Sequence, residues 1–179
     1  VSEQRTFTVA GLDLSLTASG IAYRDGSTST VKTRQKDGDG RLAQIEEAVQ
    51  IAVGGEHLGL GPAVELVAME DIPQNSHAAK PISMVYGVVR NLLQKQGIPY
   101  VLITPATLKT YATGKGSGDK VPMALAAYKR AGREFEDDNQ CDAAWLRWAG
   151  LDWLGCREFS VPAVQREALK KAIWPEVKR

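Results

Sequence analysis

The sequence predicts an α/β protein built on one five-stranded mixed sheet, three antiparallel strands followed by parallel ones, with helices on its faces. Three observations carry this. The first third of the chain is a succession of short β-branched and apolar segments separated by turn residues. From residue 42 onward, stretches with helical periodicity alternate with short apolar runs. The 179 residues fit one domain, and a chain of that size buries enough surface to hold a core without a disulfide or a structural metal.

Thr6 to Leu14 (TFTVAGLDL) is the first strand, ended by the turn-like Ser15-Leu16-Thr17. Ser19 to Arg24 (SGIAYR) is the second, and Asp25-Gly26 after it is a strong hairpin signal. Ser27 to Arg34 alternates like an exposed third strand. Beyond the glycine-rich turn at 37–40, Leu42, Ile45, Ala48, Val49 and Ala52 recur on one helix face until Gly54-Gly55 stops them. Val64 to Met69 (VELVAM), bounded by Pro62 and Asp71, reads as a buried strand. A helix from about Ser83 to Gln96 ends at Gly97, and Pro99 to Thr104 (PYVLIT) is the fifth strand. Pro105 opens a turn or short helix, and 114–118 is a loop. Helices then cover about 120–132 and 138–154, and Pro162 starts a C-terminal helix with alternating charges. The order βββ-α-β-α-β-α-α makes a mixed sheet flanked by helices. Residues 1–155 are expected to form the domain and 156–179 a helical extension of it.

The composition, 44% hydrophobic and 24% charged, is that of a globular protein, with no apolar run long enough to span a membrane. The opening residues lack a signal-peptide pattern. Cys141 and Cys156 cannot form a disulfide framework or a zinc site by themselves. They read as reduced thiols of a cytoplasmic protein without a membrane partner. The net charge of +1 does not announce a nucleic-acid binder, so any electrostatic attraction must be local.

Chemistry points to the acids. Asp13 lies near the end of the first strand, and Glu70 directly follows VELVAM. If those strands are neighbours, the two carboxylates lie side by side. Asp138 and Asn139 stand four and three residues before Asp142, so all three can project to one helix face. Asp138 also suits a helix N-cap, a purely structural role. Asp142 sits in the apolar stretch CDAAWLRW, where an unpartnered charge is costly. Clustered carboxylates raise one another's pKa, and a divalent cation removes that cost. Oxygen ligands without His or Cys point to magnesium or manganese. Two such ions about 3.5–4 Å apart can activate water and stabilise the leaving oxygen of a phosphodiester.

Together, GLDLSLTASGIAY, VAMED and DDNQCDAAWL resemble the RuvC-like Holliday junction resolvases, particularly the phage-type ones. The resemblance covers roughly residues 6–155. It implies an RNase H-like fold, a homodimer, magnesium dependence with manganese as substitute, and paired nicks in a four-way DNA junction. By position, Asp13 matches the first-strand aspartate, Glu70 the fourth-strand glutamate and Asp142 the final aspartate. Many members carry Asp or His three residues before the last aspartate, where this chain has Asn139. Either Asn139 or the neighbouring Asp138 completes the site, and Asp138 is favoured because it brings negative charge. The bacterial enzymes carry an aromatic wedge three residues after the glutamate; here that position is Pro73.

Local charge supplies the attraction to DNA. Between Pro105 and Arg133 stand Lys109, Lys115, Lys120, Lys129, Arg130 and Arg133 against Asp119 alone, and phosphate contacts by such residues dominate affinity. Lys109, Lys115 and Lys120 are the candidate DNA-binding residues. The segment Gly114-Lys115-Gly116-Ser117-Gly118-Asp119-Lys120 resembles the basic Gly/Ser segment of family members and lacks the P-loop pattern. Trp145, Trp148 and Trp153 read as core or dimer surface rather than base-stacking platforms. His57 and His77 read as loop residues. The apolar surface of the 83–96 helix suits both the sheet and a two-fold partner, and the tail from Val161 either adds DNA contacts or packs on the core.

The expected function is cytoplasmic, metal-dependent junction resolution in a bacterium or a phage-infected host. The same-class alternative is a RuvC-like nuclease for flaps, forks or RNA-containing substrates. An actin-like sugar kinase needs two related domains, for which the chain is too short. A non-catalytic DNA scaffold has no use for three retained carboxylates.

Overall fold

Five strands and six helices follow from this patterning in the computed structural model, which describes residues 6–56, 59–72, 79–117 and 121–178. Strands β1 (Val9–Asp13), β2 (Ala18–Ala22) and β3 (Thr28–Lys32) come first, then α1 (Gly40–Val53), β4 (Leu66–Glu70), α2 (Ala79–Gln96) and β5 (Tyr100–Ile103). Helices α3 (Pro105–Thr113), α4 (Val121–Ala131), α5 (Asp138–Trp153) and the short α6 (Ala163–Arg166) complete the chain, with 3-10 turns at Gln35–Asp37 and Glu167–Lys171. The sheet runs β3-β2-β1-β4-β5. β1, β2 and β3 pair antiparallel, while β4 pairs parallel with both β1 and β5. This is the mixed sheet expected from the sequence.

Alternation along the strands builds two cores, one on each sheet face. Ala10 and Leu12 of β1 and Val67 and Met69 of β4 pack with Ile45 and Val49 of α1 and Val85, Val89 and Leu93 of α2. Val9, Leu66, Ala68, Val101 and Ile103 point the other way, against Leu108 and Tyr111 of α3 and Trp145, Leu146 and Ala149 of α5. A residue at the next odd position of β1 or even position of β4 therefore emerges on the α5 face. Helix α5 is buried on nearly all sides, as a helix wedged between a sheet and further helices must be. Trp145 and Trp148 lie in this core with centroids 5.1 Å apart, edge to face, as the sequence reading expected.

Glycines let α5 sit unusually low on the sheet. A Cβ on Gly11 of β1 would approach the Arg147 amide nitrogen to 2.6 Å and overlap the Ala143 carbonyl, and a Cβ on Gly20 of β2 would overlap the Asn139 carbonyl. Glycine inside a strand marks such a close backbone approach.

One expectation is resolved and another changes. Of the turn or short helix expected from Pro105, the structure has the short helix, because Thr104 caps it by accepting from the Thr107 amide at 3.2 Å and Pro105 occupies its first turn. The C-terminal helix expected from Pro162 is only the four residues of α6 and the 3-10 turn after it. It is shorter because the segment is fastened by side chains instead of an amphipathic face. The Arg166 guanidinium bonds both oxygens of the buried Asp152 (Nε to Oδ1 2.8 Å, Nε to Oδ2 2.9 Å). Trp174 stacks on Trp153 with centroids 4.6 Å apart, and Leu169 is buried. The tail packs on the core, and Trp153 serves that contact.

Candidate active site

The parallel register of β1 and β4 brings two of the carboxylates together. Leu12 faces Met69, so the next step along both strands sets Asp13 beside Glu70. Both fall on the α5 face by alternation. The polypeptide leaves the sheet at these positions, β1 for a turn and β4 for Asp71, whose amide still bonds the Ile103 carbonyl at 2.8 Å. Two central strands thus deliver their first polar side chains at their carboxyl ends.

Helix α5 delivers the third. Its amino end is fixed by Asp137, whose side chain accepts from the Gln140 amide at 3.0 Å and from the Thr30 hydroxyl of β3 at 2.8 Å. The N-cap is therefore Asp137 and not Asp138, which removes the purely structural account of Asp138. With the start pinned to β3 and the body lowered onto Gly20 and Gly11, Asp142 comes within electrostatic reach of the strand carboxylates. Burial, the Asp13 and Asp142 charges and a hydrogen bond with Asp13 together push the Glu70 carboxyl up to about 8, and the Lys109 charge opposes them. Tyr86 of α2 donates its hydroxyl to the Glu70 carbonyl. Burial first, then the Glu70, Asp13 and Asp71 charges, raise its phenol above the ordinary range.

The remaining candidates lie around this group. Asp138, the first residue of α5, is exposed and lines with Asp142 a cleft of about 330 Å³ between α4 and α5. Asn139 is half-buried, with its backbone over Gly20. Lys109 sits on α3, half-buried and beside Glu70, while Lys115 is exposed in the loop after α3. Lys120, Pro73, His57 and His77 lie outside the described residues. Sequence reasoning did not single out Tyr86, nor Asp152, a buried carboxylate that also accepts from the Tyr111 hydroxyl at 3.2 Å. Asp152, ten residues beyond Asp142 in the same apolar stretch, carried the same signal of a charge among core residues.

Among the described residues, no three or more His, Cys, Asp or Glu side chains are grouped so that they could hold a metal ion as they stand. The chemistry of the candidate donors nevertheless suits a hard cation. They are all oxygen, and the carboxylates are close enough that Glu70 holds a proton in the role a cation would fill.

No family model matches the chain, and no curated protein does. Among solved structures, the chain is similar to Thermus thermophilus RuvC, with a TM-score of 0.64 and 21% identity over 87% of this chain and 100% of that one. The fold is that of RuvC. A second structure, T. thermophilus RuvC in complex with a Holliday junction substrate, superposes equally well, with a TM-score of 0.64 and 20% identity over 87% of this chain and 99% of that one.

Proposed function

We propose that this chain is a divalent-metal-dependent DNA endonuclease that resolves four-way junctions by paired phosphodiester hydrolysis. One observation carries the reading: Asp13, Glu70 and Asp142, from three separate elements, lie within electrostatic reach of one another at the carboxyl ends of the central strands of a RuvC-like sheet. The junction-bound structure of the T. thermophilus protein supports the choice of substrate.

Asp13, Glu70 and Asp142, completed by Asp138 or Asn139, would hold two magnesium ions, with manganese able to substitute. When bound, such ions supply an activated water and stabilise the leaving oxygen. The protein's own part is positional and electrostatic. Strands β1 and β4 fix Asp13 and Glu70 by backbone pairing, and α5 fixes Asp142 through its cap and its glycine contacts. Glu70 must give up its proton before it can ligate. Lys109, beside it, favours the ionised form and offers positive charge to a phosphodiester at the same place. Lys115, and Lys120 from the same segment, add phosphate contacts. A homodimer, with α2 as the shared face, would place two such sites across one junction and account for paired nicks.

The test is nicking of labelled four-way, forked, flapped and linear DNA with magnesium. Two symmetric nicks in the four-way junction are expected, lost in Asp13→Asn, Glu70→Gln and Asp142→Asn while DNA binding persists. Full activity in all three variants overturns the reading, and cuts confined to forks or flaps reassign the substrate.

A further inference from the structure

Helix α4 presents a ridge of apolar side chains to solvent that the fold does not use. Val121, Leu125 and Tyr128, at i, i+4 and i+7, are 74%, 48% and 56% exposed. The opposite face of the helix, through Met123 and Ala127, is buried in the core. Apolar side chains therefore occupy both the buried face and an outward crest of the helix, where ordinary amphipathic patterning would place polar residues. A contiguous exposed apolar strip on a well-anchored helix marks a contact surface.

Its position and its charge say what lies on it. Ala124 and Met123 of the same helix line the cleft that ends at Asp138 and Asp142. The cleft gives a strand held at Asp142 a path away from that carboxylate, and its two walls differ in charge. The opposite wall, the segment leading into α5, sets Glu134, Glu136, Asp137 and Asp138 against Arg133, an acidic excess that repels a polyanion. The α4 wall carries no acid from Val121 to Ala131, and exposed Lys129 stands beside Leu125 and Tyr128. An aromatic ring flanked by aliphatic groups and a lysine is the composition that stacks on a base and contacts its phosphate.

Resting on the nuclease reading, we propose that the α4 ridge is a branch-recognition element. Leu125 and Tyr128 pack against a base exposed where the arms of a junction separate, and Lys129 contacts its phosphate. This assigns branch selectivity to a surface outside the carboxylate site.

The test uses the full chain and a four-way junction carrying 2-aminopurine beside the branch point, with Asp142→Asn as the background so that bound DNA stays intact. Leu125→Ser/Tyr128→Ala is expected to weaken junction binding about tenfold or more and abolish the change in fluorescence that binding produces in that base. Linear duplex binding should stay within about twofold, since duplex affinity rests on phosphate contacts. Tyr128→Phe, which keeps the ring, should retain the signal. Because the side chains point outward, the melting temperature should hold, which separates lost recognition from misfolding. Junction binding and fluorescence equal to those of the background chain overturn the proposal. So does a fall from dimer to monomer mass by light scattering, which would make the ridge a subunit contact. If the chain with all its carboxylates cuts no branched DNA, the nuclease reading itself fails. If it cuts and the ridge variant is indistinguishable, only the ridge assignment fails.

Discussion

Gly20 of β2 lies directly beneath Asn139 of α5, so close that a Cβ on the glycine would overlap the Asn139 carbonyl. Gly20 is also the antiparallel partner of Asp13. The same backbone contact that lowers α5 onto the sheet therefore sets the height of Asp142 relative to the strand carboxylates. Gly20→Ala is expected to cost about 3 kcal/mol of stability, because the obstacle is backbone and cannot rotate away. Denaturant unfolding measures it. A loss indistinguishable from zero would mean that α5 is free to lift, and Asp142 with it.

Glu70 makes stability depend on pH in an unusual direction. Its carboxyl is raised on folding from 4.5 to about 8, so the folded chain holds this proton more tightly than the unfolded one. The stabilising contribution is complete below 4.5 and disappears as pH rises through about 8. In chelator, the melting temperature should fall across this window by more than in Glu70→Gln, which should also melt higher at the alkaline end. Parallel pH profiles of the two proteins would show that the acids do not repel one another.

The choice between Asp138 and Asn139 is open to direct measurement. Asp138 shares the cleft with Asp142, and the cap role belongs to Asp137. Asp138→Asn is therefore expected to raise the magnesium concentration needed for half-maximal cleavage, with little change in melting temperature. Asn139→Ala should have the smaller effect on metal demand. The reverse ranking assigns the fourth ligand to Asn139.

Asp152 anchors the tail. Its carboxylate is 1% exposed and accepts from Arg166 at 2.8 Å and Arg157 at 3.4 Å, as well as from Tyr111. Asp152→Ala leaves a guanidinium without its buried partner, a loss of about 3–5 kcal/mol when a pair is fully buried. Partial exposure of both arginines places the expected cost at the lower end. Calorimetry should show the drop, and proteolysis should cut the variant's tail after Ser160 faster than wild type. An unchanged digestion pattern would detach the tail from this network.

The order of the elements was legible because patterning is local. VELVAM flanked by Pro62 and Asp71, and the periodic Leu42–Ala52 face, mark a strand and a helix without reference to anything distant. The candidate acids were legible to different degrees: Asp142 stands inside the apolar stretch CDAAWLRW and Glu70 directly follows VELVAM, whereas Asp13, at a strand end that also suits a turn, was singled out mainly by the resemblance. The α3 helix was ambiguous, because a capping hydroxyl ahead of a proline serves a turn as well as a helix. The tail was ambiguous because alternating charges look alike whether solvated or paired.

What the sequence by itself determined is which residues are strands, which are helices and which acids are out of place among apolar neighbours. Those depend on periods of two and of 3.6 residues, written over a few positions. Only the tertiary structure decided how those acids meet: the β1–β4 register beside Asp13 and Glu70, the depth of α5 over Gly11 and Gly20, the assignment of the cap to Asp137, and the attachment of Asp152 to the tail. Each is a contact between segments distant in sequence, set by how backbones pack, and no local pattern encodes such a distance.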